Sequence, residues 1–195
     1  MSALAFADPV FESQATFRLV LRAMASPGKI IDVGEALAPP PPLGRAAAAA
    51  LLTLADFETP LWVAPSFAGS GVEAYLKFHT GAPLAAAPGS AAFALADVVS
   101  DAIDFKRFSQ GTAEYPDRST TLILQTRRLT PGAGLRLVGP GVAGASALDV
   151  APLPVDFLTQ WAANHARFPL GIDLILTAGS RLAALSRSVS VTGVA

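Results

Sequence analysis

The chain has 195 residues, of which 52% are hydrophobic and 15% charged, and its formal net charge is −1. The near-neutral charge argues against nucleic-acid binding, and the lack of cysteine excludes disulfides, thiolate nucleophiles and iron–sulfur clusters. This length supports one domain with a sizeable core, and a surface so poor in charge is often covered by a partner.

The N-terminal residues carry no basic region before their short apolar run, so we expect no signal peptide. The longest apolar stretch is too short and too rich in alanine to span a bilayer. We therefore expect a cytoplasmic protein that does not contact a membrane, with residues 1–10 flexible.

Sequence periodicity predicts helices and strands that alternate along the chain. The first helix is predicted over 12–25, because Phe17, Val20, Leu21 and Met24 fall on one helical face. The tetraproline at 39–42 predicts an extended, exposed connector. Further helices are predicted over 43–55, 72–79, 98–108 and 156–166. Strands are predicted over 29–33, 61–64, 91–96, 120–126, 135–138 and 173–177, with a turn at 131–134. This pattern predicts one α/β domain over 1–195, with a mixed β-sheet flanked by helices on both faces.

The run Gly139-Pro140-Gly141-Val142-Ala143-Gly144 matches the dinucleotide-binding pattern G-x-G-x-x-G after a predicted strand. That function needs a helix to follow, and residues 145–150 could hold at most two helical turns before Pro152. It also needs an acid about twenty residues later, and Asp149 and Asp156 come too early. We interpret the run as a glycine-proline turn.

Metal binding and covalent catalysis have little support in the sequence. The two histidines, His79 and His165, are far apart and neither has a second ligand at helical spacing. No G-x-S-x-G motif is present. We therefore expect no metal and no cofactor. His79 precedes Thr80-Gly81 in a loop, and it either binds a ligand or makes a structural hydrogen bond.

The polar segment 111–119 precedes a predicted buried strand and supplies five candidate ligand-binding residues. They are Thr112, Glu114, Tyr115, Asp117 and Arg118. A guanidinium fork such as that of Arg118 matches the oxygens of an anionic group, and Thr112 and Ser119 could add hydroxyl donors. Alternatively, Asp117 and Arg118 tie a turn together, with Tyr115 fixing its path.

Asp56 and Glu58 form a second pair of acids, beside the strand predicted over 61–64. Two carboxylates this close could serve acid–base catalysis. Capping of a helix or pairing with an arginine is the other interpretation.

Several segments, in order, resemble one family, the H subunit of the bacterial carbon–phosphorus lyase system, which degrades phosphonates. The segments are 17–28, Leu51-Leu52-Thr53-Leu54 with Asp56, 58–62, 78–83, 111–119, 139–141, Trp161 with Asn164, and 168–174.

The resemblance implies an α/β fold similar to pyridoxal-phosphate-dependent transferases without the cofactor. It implies a homodimer that joins the G, I and J subunits in a core complex. With the L subunit, the G, H and I subunits displace adenine from ATP by an alkyl phosphonate, giving a ribose 1-phosphonate 5-triphosphate. The family offers no established catalytic residue to carry over.

Two functions therefore remain open. The first is a non-catalytic or accessory subunit of the lyase complex. The second is a phosphonate- or nucleotide-binding enzyme subunit that uses Arg118, Thr112 and His79. A free-standing homodimer is a further possibility.

Overall fold

The computed structural model describes residues 5–193. Four α-helices lie within this range: α1 (Pro9–Ala25), α2 (Arg45–Leu54), α3 (Val72–Thr80) and α4 (Phe157–His165). Helix α2 packs against both α1 and α3. It also contacts strands β4 (Thr121–Gln125), β7 (Asp173–Ala178) and β8 (Arg181–Leu185). Five alanines of α2, residues 46–50, are fully buried, which lets this helix approach its neighbours closely. No helix among the described residues is both long enough and apolar enough to cross a bilayer.

The larger sheet has six strands within residues 5–193, in the order β1-β8-β7-β4-β3-β2. The three strands not yet given are β1 (Ile31–Asp32), β2 (Leu61–Val63) and β3 (Phe93–Asp97). Strands β2, β3, β4 and β7 are parallel, and β8 is antiparallel to both β7 and β1. The predicted mixed α/β fold is thus confirmed.

A second, antiparallel sheet of three strands in the described range has the order β6-β5-β9. Its strands are β5 (Arg128–Val138), β6 (Ser146–Ala151) and β9 (Ser190–Gly193). The predicted turn at 131–134 is wrong, because these residues form an irregularity inside β5, where the register shifts between Pro131 and Leu135. A bulge tolerates proline and glycine that regular pairing would not. Of residues 145–150, for which short helical turns were the alternative, 146–150 belong to β6.

The helix predicted over 98–108 is also wrong, and the region holds only a 3₁₀ turn, Phe105–Arg107. Aspartate side chains provide the physical reason. Asp97 accepts a hydrogen bond from the Val99 N–H at 2.9 Å, and Asp104 accepts one from the Lys106 N–H at 3.0 Å. Such local side-chain bonds offer the backbone an alternative to helical hydrogen bonding.

Helix α1 starts three residues before the predicted position. The Asp8 carboxylate caps it by accepting a hydrogen bond from the Phe11 N–H at 3.2 Å. The Glu12 carboxylate in turn accepts a hydrogen bond from the Asp8 N–H at 2.8 Å. This reciprocal arrangement resembles the capping box, except that the returning carboxylate belongs to the fourth helical residue and not to the third. On the predicted apolar face of this helix, Val20 is buried, whereas Phe17 and Leu21 are 48% and 56% exposed.

Helix α4 contacts β9 and the 3₁₀ turn Phe105–Arg107. Trp161 is fully buried, stacks on Phe157, and donates from Nε1 to the Val189 carbonyl at 2.9 Å. The amide of Asn164 bonds both backbone groups of Ile172, at 2.8 and 3.0 Å, and so joins α4 to the segment before β7.

Candidate functional site

The candidate segment 111–119 folds as two consecutive turns before β4. Thr112 and Tyr115 exchange backbone hydrogen bonds of 3.1 Å, and the Thr112 Oγ1 also accepts from the Tyr115 N–H. Gly111 has a φ of +73°, and a Cβ there would lie 2.7 Å from the Pro116 carbonyl oxygen. A 3₁₀ turn, Pro116–Arg118, follows. The segment therefore has a defined path, for which glycine is required at its first position.

Arg187, which sequence analysis missed, fixes this segment to the sheet. Its Nη1 donates to the Pro116 carbonyl at 2.9 Å, and its Nη2 donates to the Ser119 Oγ. The same guanidinium binds Asp173 through two nitrogens, with Nε 3.2 Å from Oδ1 and Nη2 2.5 Å from Oδ2. The Arg187 and Asp173 side chains are only 13% and 16% exposed. Asp173 at the start of a buried strand is the one sequence signal that could have revealed this network.

The predicted ligand-binding residue Arg118 is exposed, with its guanidinium 4.0 Å above the centre of the Tyr115 ring. Within residues 5–193, its side chain makes no hydrogen bond and no ion pair. The expected tie between Asp117 and Arg118 is therefore absent from the described chain. Stacking on an aromatic face orients a guanidinium while its N–H groups stay free to donate.

Arg118 and Asp117 line a cleft of about 430 Å³. Its other lining residues precede the parallel strands β2, β3 and β4, so the cleft lies at the amino edge of the larger sheet. They are Glu58, Pro60, Gly89, Ser90, Ala91, Ala92, Ser109 and Ser119. Glu58 is held in a turn by Asp56, whose Oδ1 accepts from the Glu58 N–H at 2.9 Å. Asp56 therefore neither caps α2 nor pairs with an arginine within the described range.

The remaining predicted residues lie apart from this cleft. Thr112 and Glu114 are exposed and do not line it. His79 is in the last turn of α3 and not in a loop, and its ring contacts those of Tyr75 and Phe78, with centroids 4.7 and 4.9 Å away. No hydrogen bond, ion pair or ring contact among the described residues joins His79 to segment 111–119.

A second polar cluster lies at the carboxyl ends of β3 and β4. Asp97 accepts from Arg127 at 2.7 and 3.2 Å and from the Gln125 Nε2 at 3.1 Å. Gln125 also donates to the Pro42 carbonyl at 2.9 Å and accepts from the Gly44 N–H at 2.7 Å. These side chains connect the proline-rich loop to the sheet.

Asp97 is the charged centre of this cluster. Burial alone would raise its pKa, but hydrogen bonds from Arg127, Val99 and Gln125, with the charge of Arg127, hold the pKa below its ordinary value. Open α/β sheets ordinarily bind ligands at the carboxyl ends of their strands. Here that edge is occupied by polar groups paired with one another, whereas the amino-edge cleft contains unpaired charges.

The described residues contain no group of three His, Asp or Glu side chains that could hold a metal ion. His165 has a defined structural partner, since its Nδ1 lies 2.9 Å from the Arg187 carbonyl oxygen.

Fold and site define a mixed α/β protein with a cleft at the amino edge of its larger sheet and with apolar side chains exposed on its first helix. Residues 4–192 match the sequence model of the bacterial phosphonate metabolism protein PhnH. The chain therefore belongs to the PhnH family, as the ordered motifs predicted.

Two curated proteins illustrate the relationship. The chain is 42% identical over 187 residues to the alpha-D-ribose 1-methylphosphonate 5-triphosphate synthase subunit PhnH of Rhizobium meliloti (strain 1021), a match that covers 96% of this chain and 94% of that protein. It is 35% identical over 81 residues to the putative C-P lyase subunit protein HtxG of Stutzerimonas stutzeri, covering 42% of each.

Proposed function

We propose that the chain is an accessory subunit of a phosphonate-degrading complex of the carbon–phosphorus lyase type. It is needed for coupling an alkyl phosphonate to the ribose of ATP with loss of adenine. The observation that carries this proposal is the 42% identity, over nearly the whole of both chains, to a protein named as a subunit of the corresponding synthase. Use of ATP as the co-substrate favours a cytoplasmic location.

The surface of α1 supports a role as a subunit. Val10, Phe11, Phe17 and Leu21 are each about half exposed or more, and Phe17 and Leu21 border a groove of about 180 Å³ that reaches Phe93. Apolar side chains clustered on one helix are typical of a surface that a partner covers. The partners we propose are the G, I and J subunits and a second copy of the chain.

A genetic experiment tests the proposal. A strain lacking this chain should fail to grow with methylphosphonate as sole phosphorus source, should grow normally on inorganic phosphate, and should recover when the wild-type gene is restored. Normal growth of the deletion strain on methylphosphonate would reject the proposed function.

Assembly is tested by co-expressing the tagged chain with the other subunits and analysing the purified material by native mass spectrometry. Stoichiometric recovery of the other subunits is expected. Recovery of the homodimer alone, with those subunits demonstrably present, would favour a free-standing protein.

The second candidate function is a subunit that binds a phosphonate or a nucleotide phosphate in the amino-edge cleft. The observation that favours it is the Arg118 guanidinium, which lines the cleft without a hydrogen-bonding or ionic partner in the described chain. Arg118→Ala should then reduce turnover of the assembled complex about 10- to 150-fold, because a charged hydrogen bond is worth about 1.5–3 kcal/mol. If Arg118→Ala instead disrupts assembly, the turn has a structural role.

A further inference from the structure

The amino-edge cleft contains unpaired charges of both signs. Arg118 supplies a guanidinium, and Glu58 and Asp117 supply carboxylates; none of the three side chains makes a hydrogen bond or ion pair within residues 5–193. The guanidinium nitrogens therefore lie more than 4.0 Å from either carboxylate. Opposite charges that line one cleft without contact can both be satisfied by a ligand that lies between them.

The anionic part of such a ligand has two donors in the cleft. Arg118, stacked on Tyr115, has free N–H groups. Ser119 is only 7% exposed and lines the cleft, and its Oγ accepts a hydrogen bond from Arg187. The Ser119 hydroxyl hydrogen has no acceptor among the described residues, so it is available to an oxyanion. A guanidinium and a buried hydroxyl are typical donors to phosphate-like oxygens.

The cationic part of the ligand would meet the two carboxylates. Glu58 is held on the rim of the cleft by the turn that Asp56 and Thr59 form, since the Asp56 carboxylate accepts from the Glu58 N–H and from the Thr59 Oγ1 at 3.0 Å. Asp117 lies in the 3₁₀ turn beside Arg118. With two carboxylates facing one guanidinium, a purely anionic ligand would be repelled on one side.

Resting on the second candidate function, we propose that this cleft binds a small zwitterion: a phosphonate that also carries an ammonium group. The phosphonate oxygens accept from Arg118 and Ser119, and the ammonium donates to Glu58 and Asp117. The cleft, at about 430 Å³, lies within the size range of pockets that hold small molecules, about 300–1,000 Å³.

Isothermal titration calorimetry of the full-length chain at neutral pH tests the proposal with four probes. These are 2-aminoethylphosphonate, ethylphosphonate, β-alanine and ethylamine. 2-Aminoethylphosphonate should bind at least about tenfold more tightly than ethylphosphonate or ethylamine, since each lacks one of the two charged contacts. It should also bind more tightly than β-alanine, whose carboxylate offers fewer oxygens. Equal affinities for 2-aminoethylphosphonate and ethylphosphonate would overturn the zwitterion assignment, and tighter binding of β-alanine would overturn the phosphonate assignment.

Substitutions separate the two halves of the cleft. Arg118→Gln should weaken 2-aminoethylphosphonate and ethylphosphonate binding alike, by about 10- to 150-fold. The double variant Glu58→Gln with Asp117→Asn should weaken 2-aminoethylphosphonate binding and spare ethylphosphonate. Arg136→Gln, an exposed change on β5 outside the cleft, is the matched control and should bind as wild type does.

The pattern of failure is informative. If ethylphosphonate binds as well as its amino counterpart, phosphonate binding stands and the zwitterion proposal fails. If no probe binds, both the ligand-binding function and the zwitterion proposal fail, whereas growth on methylphosphonate still tests the accessory-subunit function.

Discussion

At the scale of single residues, Arg187 joins three segments that are distant in the sequence. It binds Asp173, the Pro116 carbonyl and Ser119 together. Arg187→Ala should lower the free energy of unfolding by about 3 kcal/mol, because removing one member of a buried ion pair leaves the other uncompensated. Urea denaturation followed by circular dichroism measures this change.

Arg128→Ala is the matched control for that experiment. Arg128 also binds an aspartate, Asp149, at 2.9 Å, but its side chain is 57% exposed. An exposed pair contributes at most about 1 kcal/mol. Similar losses in the two variants would contradict the anchoring role of Arg187.

Asp97 should make stability depend on pH. Burial raises its pKa, but the hydrogen bonds from Arg127, Val99 and Gln125, together with the charge of Arg127, outweigh burial and hold the pKa below the ordinary value of 3.8 in the folded protein. A lowered pKa means that the unfolded chain binds a proton more readily. The stabilisation is therefore complete above the ordinary pKa and is lost as the pH falls through 3.8 toward the lower folded value.

The Asp97→Asn variant isolates this contribution, because it removes the carboxylate and keeps the shape. The difference in free energy of unfolding between wild type and Asp97→Asn should be large at pH 7 and should shrink as the pH is lowered below about 4. A difference that stays constant over this range would show that the Asp97 carboxylate is not stabilised in the fold.

At the scale of elements, the apolar surface of α1 is covered only in part. Val20 and Ala23 are buried, while about half of the Phe17 and Leu21 side chains is exposed. The double change Phe17→Asp with Leu21→Asp should leave the chain folded and abolish assembly, since it places charge on a surface that we expect partners to cover. Native mass spectrometry with the other subunits measures assembly, and circular dichroism monitors folding. Normal assembly would locate the interface elsewhere.

This helix also shows the limit of prediction from sequence. Periodicity located α1 because a helix repeats apolar residues every three or four positions whichever surface covers them. It could not separate Phe17 from Val20, since core and interface favour the same side chains. Strands β3, β4 and β7 were predicted well because they are short apolar runs, whereas 98–108 failed because aspartates redirected the backbone.

Only part of the candidate site was predicted, because local sequence patterns reveal some of its residues and not others. Asp117 and Arg118 stood out because polar groups crowd the start of a buried strand. Glu58 was noted only for its neighbour Asp56, and Arg187 was not noted at all. Their roles depend on contacts between residues far apart in the sequence, which no local pattern records. His79 does not line the cleft, because α3 holds its ring against those of Tyr75 and Phe78, and its ligand-binding role stays a prediction.

At the scale of the whole molecule, the C-terminal strands complete both sheets. Strand β8 pairs with β1 and β7 and contacts α1, and β9 closes the edge of the smaller sheet. Deleting residues 181–195 should therefore leave β1 without its partner and yield an insoluble chain. Deleting 190–195, which removes β9 but keeps β8, is the milder control. Comparable soluble yields would show that β8 is dispensable.

At this scale the family of the protein was predicted from the resemblance of ordered motifs, and not from residue patterns. The comparison with PhnH proteins confirms this membership. The likeness to pyridoxal-phosphate-dependent transferases, the homodimer and the single domain over 1–195 with residues 1–10 flexible stay predictions. Residues 1–4, which belong to the segment predicted to be flexible, lie outside the described residues.

The pairing of Ile31 with Leu182 also bears on how the chain is made. The ribosome makes α1 and β1 long before it makes β8, the strand with which both are in contact. Strands β2, β3 and β4 can form neighbouring pairs as they emerge, but β1 must wait until Leu182 and the rest of β8 have been made. Contacts this distant in sequence slow folding, and they leave apolar surface open in the meantime. We therefore expect the nascent chain to depend on chaperones until β8 has been made, and translation arrest before that point to direct it to degradation.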